Sequence, residues 1–387
     1  MKHFRNKSML SLSIFLLLLV AIGCGKSDGT IDKTFGGSDY DEGNFISQTS
    51  DDGFILTGST ESYGAGRSDL WLLKLTNQGD IEWEKTFGDT DHDAGSSVIE
   101  TIDAGFIALG WTQSFGRGDR NIWLIKTDSK GNEQWNKTYG SIGFNEGAYI
   151  SQTNYGNFLI TGRISTNNSE STEGSDIFVM MINRNGGLIW SNTYGGDHSL
   201  SDDTGIIVKV LSDGDLILVG VLYDYLSNET KGLIIKLDKD GNTLWERQVE
   251  KIWPRDIFID PDGRFLISGN INDDFFILEL DDKGETQNLS VFKSDSKERG
   301  GNIWKMNDNG YLLVGSTDGS GRGKFDAVII RTDSLYKELW TKSFGGSARD
   351  EIKSGVLTKS GYLAVTGYTE SKGSGKRDLW FLKIPIK

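Results

Sequence analysis

The stretch Lys85–Trp135, KTFGDTDHDAGSSVIETIDAGFIALGWTQSFGRGDRNIWLIKTDSKGNEQW, is one copy of a unit that fills most of the 387-residue chain. Three markers recur with it about every 50 residues. They are an apolar run that closes on glycine (FIALG), an apolar run of the DLWLLKL type and a strand of the W-x-K-T-F-G type, and each occurs seven times. The glycines that close the first marker are Gly58, Gly110, Gly162, Gly220, Gly269, Gly315 and Gly367.

The runs are short, rich in β-branched and aromatic residues and bounded by Gly, Asn and Asp, which is typical of β-strands joined by tight turns. The mature chain shows no helical period. A further segment of the D-x-G-x-S-I-x-Q-T type brings the number of strands in each unit to four. Four strands that repeat at this spacing predict an all-β fold, a seven-bladed β-propeller of four-stranded blades.

The two ends of the repeat region predict how the ring closes. The region starts with a fourth-strand segment, Thr30–Gly37, and the chain stops after a third-strand segment, Asp378–Ile384. The last blade therefore lacks its own fourth strand, and we expect residues 30–37 to complete it, since this pairing removes an open sheet edge. The sequence predicts one propeller domain over residues 30–387.

The N-terminus has the pattern of an export signal. Residues 1–9 are basic and residues 10–22 are apolar, a run too short for an ordinary membrane-spanning helix. The run ends in Val20-Ala21-Ile22-Gly23-Cys24, which resembles the bacterial lipobox. The resemblance implies cleavage after Gly23 and acylation of Cys24, by chains such as palmitate. The alternative is an ordinary cleaved signal peptide with an incidental cysteine.

The resulting domain organisation is a cleaved lipoprotein signal peptide over residues 1–23, a lipidated short tether over residues 24–29, and the propeller. The tether reaches less than roughly 20 Å, so the propeller would sit close to the bilayer. Gly25 stands where an Asp commonly signals inner-membrane retention in enterobacteria. We therefore expect a membrane-anchored lipoprotein of the cell envelope, in the outer membrane.

Charge and cysteine content exclude several classes of function. The net charge is −14, and removal of residues 1–23, which hold three basic and no acidic residues, makes it −17. Such a chain would repel phosphates, so we expect no nucleic-acid partner. Cys24 is the one cysteine, which excludes an intramolecular disulfide, thiolate metal sites and Cys–His catalysis.

The unit GG-S-x-x-D-E-G…DGG-F-I-x-T-G-x-T…D-x-W-x-x-K resembles the β-propeller repeats of secreted bacterial and archaeal proteins. Separately, D-x-x-G-x-x-x-W, at Asp128–Trp135 and Asp238–Trp245, resembles the tryptophan-docking motif of quinoprotein-like propellers. That resemblance implies that five tryptophans pack between adjacent blades: Trp83, Trp135, Trp190, Trp245 and Trp340. The chain departs from quinoprotein dehydrogenases because it has seven units rather than their usual eight and no vicinal disulfide. No residue set matches their quinone or Ca²⁺ site, so no cofactor is expected.

Several polar groups recur in the segments that lead from one unit to the next. We interpret His92 and His198 as loop side chains rather than metal ligands. Recurring acids predict either clasps between blades or a ligand ring at the channel mouth, and they face basic residues on the neighbouring loops. The acids are Asp41, Glu42, Asp93, Asn145 with Glu146, Asp202, Asp203, Asp350 and Glu351, and the basic residues are Arg67, Arg117, Arg120, Arg322, Lys324, Lys376 and Arg377.

Positions where one blade breaks the consensus cannot be explained by repetition. Trp111 and Arg163 follow a marker glycine where blades one and six have Ser, and Trp253 and Arg255 lie at the entry to the short fifth blade. Tyr223 and Tyr225 lie in what we interpret as an enlarged loop, Val221–Lys231, and a polar loop spans residues 165–175. Aromatic and Arg side chains often anchor protein and glycan contacts. These six side chains form either a ligand-binding patch or the product of drift in a degenerate repeat.

The sequence therefore predicts a monomeric, non-enzymatic binding or scaffold lipoprotein that engages an envelope protein, or a glycan, through loops on one propeller face. A nearer functional analogue is the propeller lipoprotein of the outer-membrane assembly machinery, by fold alone. The alternative is a glycan-active hydrolase or lyase that uses carboxylates at the channel mouth. We assign no catalytic residue and no metal ligand.

Overall fold

The structure, a computed structural model, describes residues 29–117, 119–140, 142–165, 174–195, 201–319 and 324–386. Their secondary structure consists of 28 strands. The first thirteen are β1 Ile31–Phe35, β2 Asp41–Gln48, β3 Phe54–Thr60, β4 Asp69–Leu75, β5 Ile81–Phe87, β6 Asp93–Glu100, β7 Phe106–Thr112, β8 Asn121–Thr127, β9 Glu133–Tyr139, β10 Glu146–Gln152, β11 Phe158–Ser165, β12 Ser175–Ile182 and β13 Leu188–Tyr194. The others are β14 Thr204–Val210, β15 Leu216–Asp224, β16 Glu229–Leu237, β17 Thr243–Glu250, β18 Ile252–Ile259, β19 Phe265–Ile271, β20 Asp274–Leu280, β21 Thr286–Phe292, β22 Glu298–Lys305, β23 Tyr311–Thr317, β24 Asp326–Thr332, β25 Glu338–Phe344, β26 Asp350–Leu357, β27 Tyr362–Thr369 and β28 Asp378–Pro385.

The strands form seven antiparallel four-stranded sheets, in which consecutive strands pair. Blades one to six are β2–β5, β6–β9, β10–β13, β14–β17, β18–β21 and β22–β25. The seventh consists of β26, β27 and β28, and β1 pairs with β28 from Ile31↔Lys383 to Phe35↔Leu379. The predicted seven-bladed propeller and its closure by the N-terminal strand are both confirmed.

The core lies between blades, which explains the continuous apolar runs of the sequence. All seven residues of β4 are buried, because each middle strand is covered by a neighbouring blade on both faces. One cluster joins Ile55 and Leu72 of blade one to Val98, Phe106 and Trp123 of blade two. The outermost strand β5 alternates between exposed and half-buried residues. The second and third strands of each unit are therefore mostly apolar.

A buried lysine near the end of β4, the third strand of blade one, pairs with a carboxylate in the adjacent turn. Lys74 is 4% exposed, and its Nζ lies 2.9 Å from a carboxylate oxygen of Asp51. Burial raises the pKa of Asp51, but hydrogen bonds from Thr49, Lys74 and Gly53 outweigh burial and lower this pKa to about 2. The lysine of the DLWLLKL run thus has a structural role at the face opposite the channel mouth described below.

The predicted enlarged loop Val221–Lys231 is wrong. β15 continues to Asp224 and β16 begins at Glu229, with Tyr223 paired to Thr230 across the ladder, so four residues connect the strands. Extending the hairpin satisfies backbone hydrogen bonds that an irregular loop would leave to water. In the part of the chain that the structure describes, no helix is long and apolar enough to cross a membrane.

Candidate binding site at the channel mouth

The innermost strand of every blade contains a β-bulge that turns one residue toward the central channel. In β2, Gly43 pairs with Gly58 and Phe45 pairs with Thr57, so Asn44 between them has no partner in the ladder. The same shift occurs once in each of the other innermost strands. The seven bulge residues are Asn44, Ser96, Ala148, Ile206, Arg255, Gly301 and Lys353, and all of them line one central cavity.

The marker glycines lie opposite these bulges. A Cβ placed on Gly58 would lie 1.8 Å from the carbonyl oxygen of Glu42, and one on Gly110 would lie 1.9 Å from that of Ala94. The backbone of the bulged strand thus occupies the space of a side chain on the second strand. The marker glycine, the most regular residue of the repeat, is therefore required by the β-bulge that also shapes the channel wall.

The central cavity has a volume of about 640 Å³ and is lined by innermost strands of all seven blades. Its charged lining residues lie on innermost strands, except Arg163, which lies on the second strand of blade three. They are the basic residues Arg163, Lys209, Arg255, Arg299 and Lys353 and the acidic residues Glu146, Asp256 and Glu351. Positive groups therefore outnumber negative groups here, although the whole chain carries −14.

Arg163 is the most heavily paired of the predicted site residues. It lies opposite Glu146 in the ladder, and its Nε donates to the Glu146 carboxylate at 2.9 Å. Its Nη1 donates to Asp202 at 3.2 Å, and Arg120 of blade two also pairs with Glu146. Arg163 thus belongs to a charge network that joins blades two, three and four.

Two of the recurring acids, Asp41 and Asp350, act as clasps. Asp41 is buried and accepts hydrogen bonds from the Gly37 amide at 2.8 Å and the Ser62 hydroxyl at 2.6 Å. Asp350 accepts the same two bonds in blade seven, from Gly346 and Ser371. The sequence predicts these acids in the segments between units, but the structure places Asp41 and Asp350 at the first residue of an innermost strand. Among the described residues, no group of three or more His, Cys, Asp or Glu could hold a metal ion.

The aromatic candidates divide between the cavity and its rim. Trp111 lines the cavity, with the Arg120 guanidinium 3.9 Å from its ring centroid. Tyr223 and Tyr225 form an edge-to-face pair with centroids 5.0 Å apart. The Tyr225 hydroxyl donates to Asp202 at 3.3 Å, in a small pocket of about 180 Å³ that Arg163 also lines. Tyr225 is therefore coupled to the cavity through charged neighbours, and Tyr223 lies further out.

Trp253 and Arg255 lie in β18, the innermost strand of blade five. Trp253 is 38% exposed, and the Arg255 guanidinium lies 5.4 Å from its ring centroid. Arg255 occupies the bulge, so its side chain reaches the open space of the cavity while the channel walls surround it. The structure thus brings Trp111, Arg163 and Arg255 to one cavity and places Trp253 beside Arg255.

Four charged residues of the cavity lining were missed by the sequence reasoning: Lys209, Asp256, Arg299 and Lys353. The signal that could have found two of them is positional. Arg299 precedes the bulge glycines of blade six, and Lys353 occupies the bulge of blade seven, where Ile352 stands in place of the usual glycine. Comparing the letters of the seven units around D-x-G-x would have exposed both.

Three of the five predicted docking tryptophans contact the next blade at its strand-three-to-four turn. The Trp83 indole donates to Ser129 O at 3.2 Å, and the Trp245 indole donates to Asp282 O at 3.1 Å. A Cβ on Gly241 would lie 2.9 Å from the ring of Trp190. Trp135 and Trp340 are half-buried against inter-blade clusters. Small turn glycines thus receive these rings.

The remaining candidates lie away from the cavity or outside the described residues. The His92 ring Nδ1 lies 3.0 Å from the Ser68 hydroxyl of the preceding blade. Cys24, His198 and Arg322 lie outside the described residues, as does most of the polar loop over residues 165–175.

No family model matches the chain, and no curated protein matches its sequence. Solved propellers do match its fold. The WD40 domain of Neurospora crassa Pan2 has a TM-score of 0.54 at 12% identity, over 89% of this chain and 90% of that chain. A protein from Lactobacillus plantarum has a TM-score of 0.54 at 12% identity, over 86% and 96%. A protein of unknown function from Dyadobacter fermentans has a TM-score of 0.50 at 12% identity, over 93% and 100%. At this identity the similarity shows the fold alone.

Proposed function

We propose that this protein is a non-enzymatic binding lipoprotein of the bacterial cell envelope, anchored in the outer membrane by a lipid on Cys24. It engages a protein partner through the channel mouth and the rim around it. The observation that carries the proposal is the convergence of blade-specific side chains, Trp111, Arg163 and Arg255, on one cavity. Aromatic and Arg groups in a concave site are the usual anchors of an interface.

Binding explains the cavity better than carboxylate catalysis does. A hydrolase needs a carboxyl group that is free to exchange a proton with its substrate. Here Glu146 is held by Arg120 and Arg163. Asp256 accepts the backbone amide of Ile257 at 2.8 Å and lies 3.4 Å from the Lys209 ammonium. Glu351 pairs with Arg349. The cavity carboxylates are therefore engaged in structural pairs.

A pull-down from envelope extracts with the full-length lipoprotein tests this function. Trp253 and Tyr225 are 38% and 49% exposed on the rim, and replacing both with alanine should weaken capture of the partner roughly tenfold or more, since exposed aromatic anchors dominate interface energies. The matched control is Tyr155→Ala, because Tyr155 is 83% exposed in the turn between β10 and β11, on the opposite face.

The identity of the captured species decides between partner classes. Loss of capture in the rim variant, with retention in Tyr155→Ala and sensitivity of the captured species to protease, supports a protein partner. Equal capture by all three proteins contradicts the rim as a binding surface. A protease-resistant species that a glycosidase removes contradicts the protein partner in favour of a glycan.

The anchor is tested by Cys24→Ala. Two or more acyl chains hold a protein stably on a bilayer, whereas a chain-free protein has no such affinity. We expect wild type in the membrane pellet after a carbonate wash and the variant in the soluble fraction. Lys26→Ala, two residues further along the tether, should stay in the pellet. A Cys24→Ala protein that also pellets would show that the anchor lies elsewhere.

A further inference from the structure

Among the described residues, one cation that lines the central cavity, Arg255, has no carboxylate partner, although its guanidinium lies 5.4 Å from the ring centroid of Trp253. Among the residues that the structure describes, Arg255 makes no hydrogen bond and no ion pair. The other basic side chains of the cavity are compensated: Arg163 by Glu146 and Asp202, Lys209 by Asp256, and Lys353 by Glu42, with Arg299 lying 3.5 Å from Glu351. The Lys209 ammonium also donates to the Ile257 carbonyl at 2.5 Å. Arg255 therefore presents its positive charge to the open space of the cavity with no carboxylate of the described residues paired to it, where a ligand carboxylate has room to pair with it.

A second positive charge, that of Arg299, acts on Arg255. Burial lowers the pKa of the guanidinium, and the positive charge of Arg299 lowers it further, while Glu351 partly offsets both. Glu351 is shared, because Arg349 pairs with it as well. Among the described residues, Glu351 is therefore the one carboxylate beside the two guanidinium groups, and Arg349 already pairs with it.

Space for a ligand lies next to Arg255. The equivalent bulge position of the neighbouring blade six is Gly301, which follows Gly300, and both line the cavity. Gly301 is also demanded by the fold, since its φ is +133° and a Cβ would lie 3.1 Å from Gly269. Because both residues are glycines, no side chain from that bulge fills the cavity beside the Arg255 guanidinium.

We infer that Arg255 and Arg299 form a carboxylate-binding site, into which an acidic peptide segment of the partner inserts a side chain or its C-terminus. The inference rests on the proposed function and specifies its chemistry. Two planar guanidinium groups suit the planar, two-oxygen acceptor of a carboxylate. The cavity, at about 640 Å³, admits a chain end or a few side chains but not a folded domain. The chain as a whole carries −14, whereas basic residues outnumber acidic ones in the lining of the cavity, so the cavity attracts a peptide carboxylate that the net charge repels.

The test is thermal unfolding of the full-length lipoprotein with and without probes. The probes are a short peptide with Glu side chains and a free C-terminus, the matching Gln peptide with an amidated C-terminus, and inorganic phosphate. We expect the Glu peptide to raise the Tm of wild type by several degrees and the Gln peptide to leave it unchanged. A phosphate effect larger than that of the Glu peptide would overturn the assignment to a carboxylate.

The decisive variant is Arg255→Gln. If Arg255 is an uncompensated binding cation, the variant without probe unfolds at or above the wild-type Tm, and it loses the rise caused by the Glu peptide. Arg255→Lys, which keeps the charge, should retain part of that rise. Lys130→Gln removes one positive charge from an exposed turn on the opposite face and should respond as wild type does. A lower Tm in Arg255→Gln with an intact response to the peptide would mean that Arg255 is structural and would overturn the site.

The outcomes separate this site from the proposed function. If the rim variant loses the partner while Arg255→Gln keeps both the partner and the peptide response, the binding function stands and the carboxylate site fails. If Arg255→Gln loses the peptide response while the rim variant captures its partner as wild type does, the carboxylate site stands and the proposed rim surface fails.

Discussion

Deletion of residues 30–37 from the full-length protein is expected to lower the Tm by roughly 5 °C, from a loss on the order of 4 kcal/mol. The deletion removes the five paired residues of β1 and leaves β28 as an open edge. It also removes Ile31 and Phe35, which pack on the cluster that joins blades seven and one. The Trp380 indole, which donates to Asp32 at 2.8 Å, loses its acceptor. Differential scanning calorimetry measures the change.

Adding the missing strand back in trans separates closure from general damage. A peptide of residues 30–37 should restore part of the lost Tm in proportion to its concentration, because it can pair with the exposed edge. The same peptide with Ile31 and Phe35 changed to Ser should not. Lys33→Ala in the intact chain should shift stability by less than about 0.5 kcal/mol, since its ion pair with Asp80 is exposed. An unchanged Tm after the deletion would mean that the ring is held without β1.

The architecture was predictable from the sequence because repetition multiplies a weak signal. A single run such as FILTG cannot distinguish a strand from a buried helix segment. Seven such runs, each ending on a glycine at a regular spacing, do distinguish them. The unmatched segments at residues 30–37 and 378–384 indicated that the two chain ends close the ring. Strand bounds were less certain where a blade departs from the repeat. The hairpin around Tyr223 was interpreted as a loop because no other unit has one of that length to compare with.

The candidate site was predictable only in part. Trp111, Arg163 and Arg255 stood out because they break the repeat, and the structure places all three on one cavity. The sequence could not show which of the charged side chains have a counter-ion beside them. Arg163 and Arg255 look alike in the sequence, yet Arg163 lies between two carboxylates and Arg255 faces the open channel. Compensation depends on distances between blades that are far apart in the chain.

The repeat and the site meet at the marker glycine. Its small size accepts the carbonyl of the bulged strand, and the bulge turns a side chain into the channel. The repeat therefore determines the location of the seven bulge positions, while the residue at each of these positions differs between blades. A family of propellers built on this unit could change its ligand by changing bulge residues alone, without altering the ring.

This link predicts that Gly58→Ala destabilises the protein by about 3 kcal/mol or more. The φ of Gly58 is not in the left-handed region, so the cost is steric rather than conformational. The new methyl group would lie 1.8 Å from Glu42 O and 3.1 Å from the Cα of Gly43, and backbone can yield only by moving the strand. The bulge residue Asn44 would move with it, although its amide donates to Gly95 O at 2.8 Å in the next blade. Denaturant titration measures the loss.

Gly220→Ala is the matched control, at the same position in blade four. There the nearest atom to the added Cβ is the end of the Ile177 side chain, at 2.5 Å, and the backbone oxygen of Thr204 is 3.0 Å away. A side-chain end can rotate, so the loss should be smaller, about 1 kcal/mol. Equal losses in the two variants would contradict the bulge as the reason for the glycine. A larger loss of stability in Gly58→Ala than in Gly220→Ala, together with a weaker Tm rise from the Glu peptide, would show that the marker glycine also determines the shape of the site.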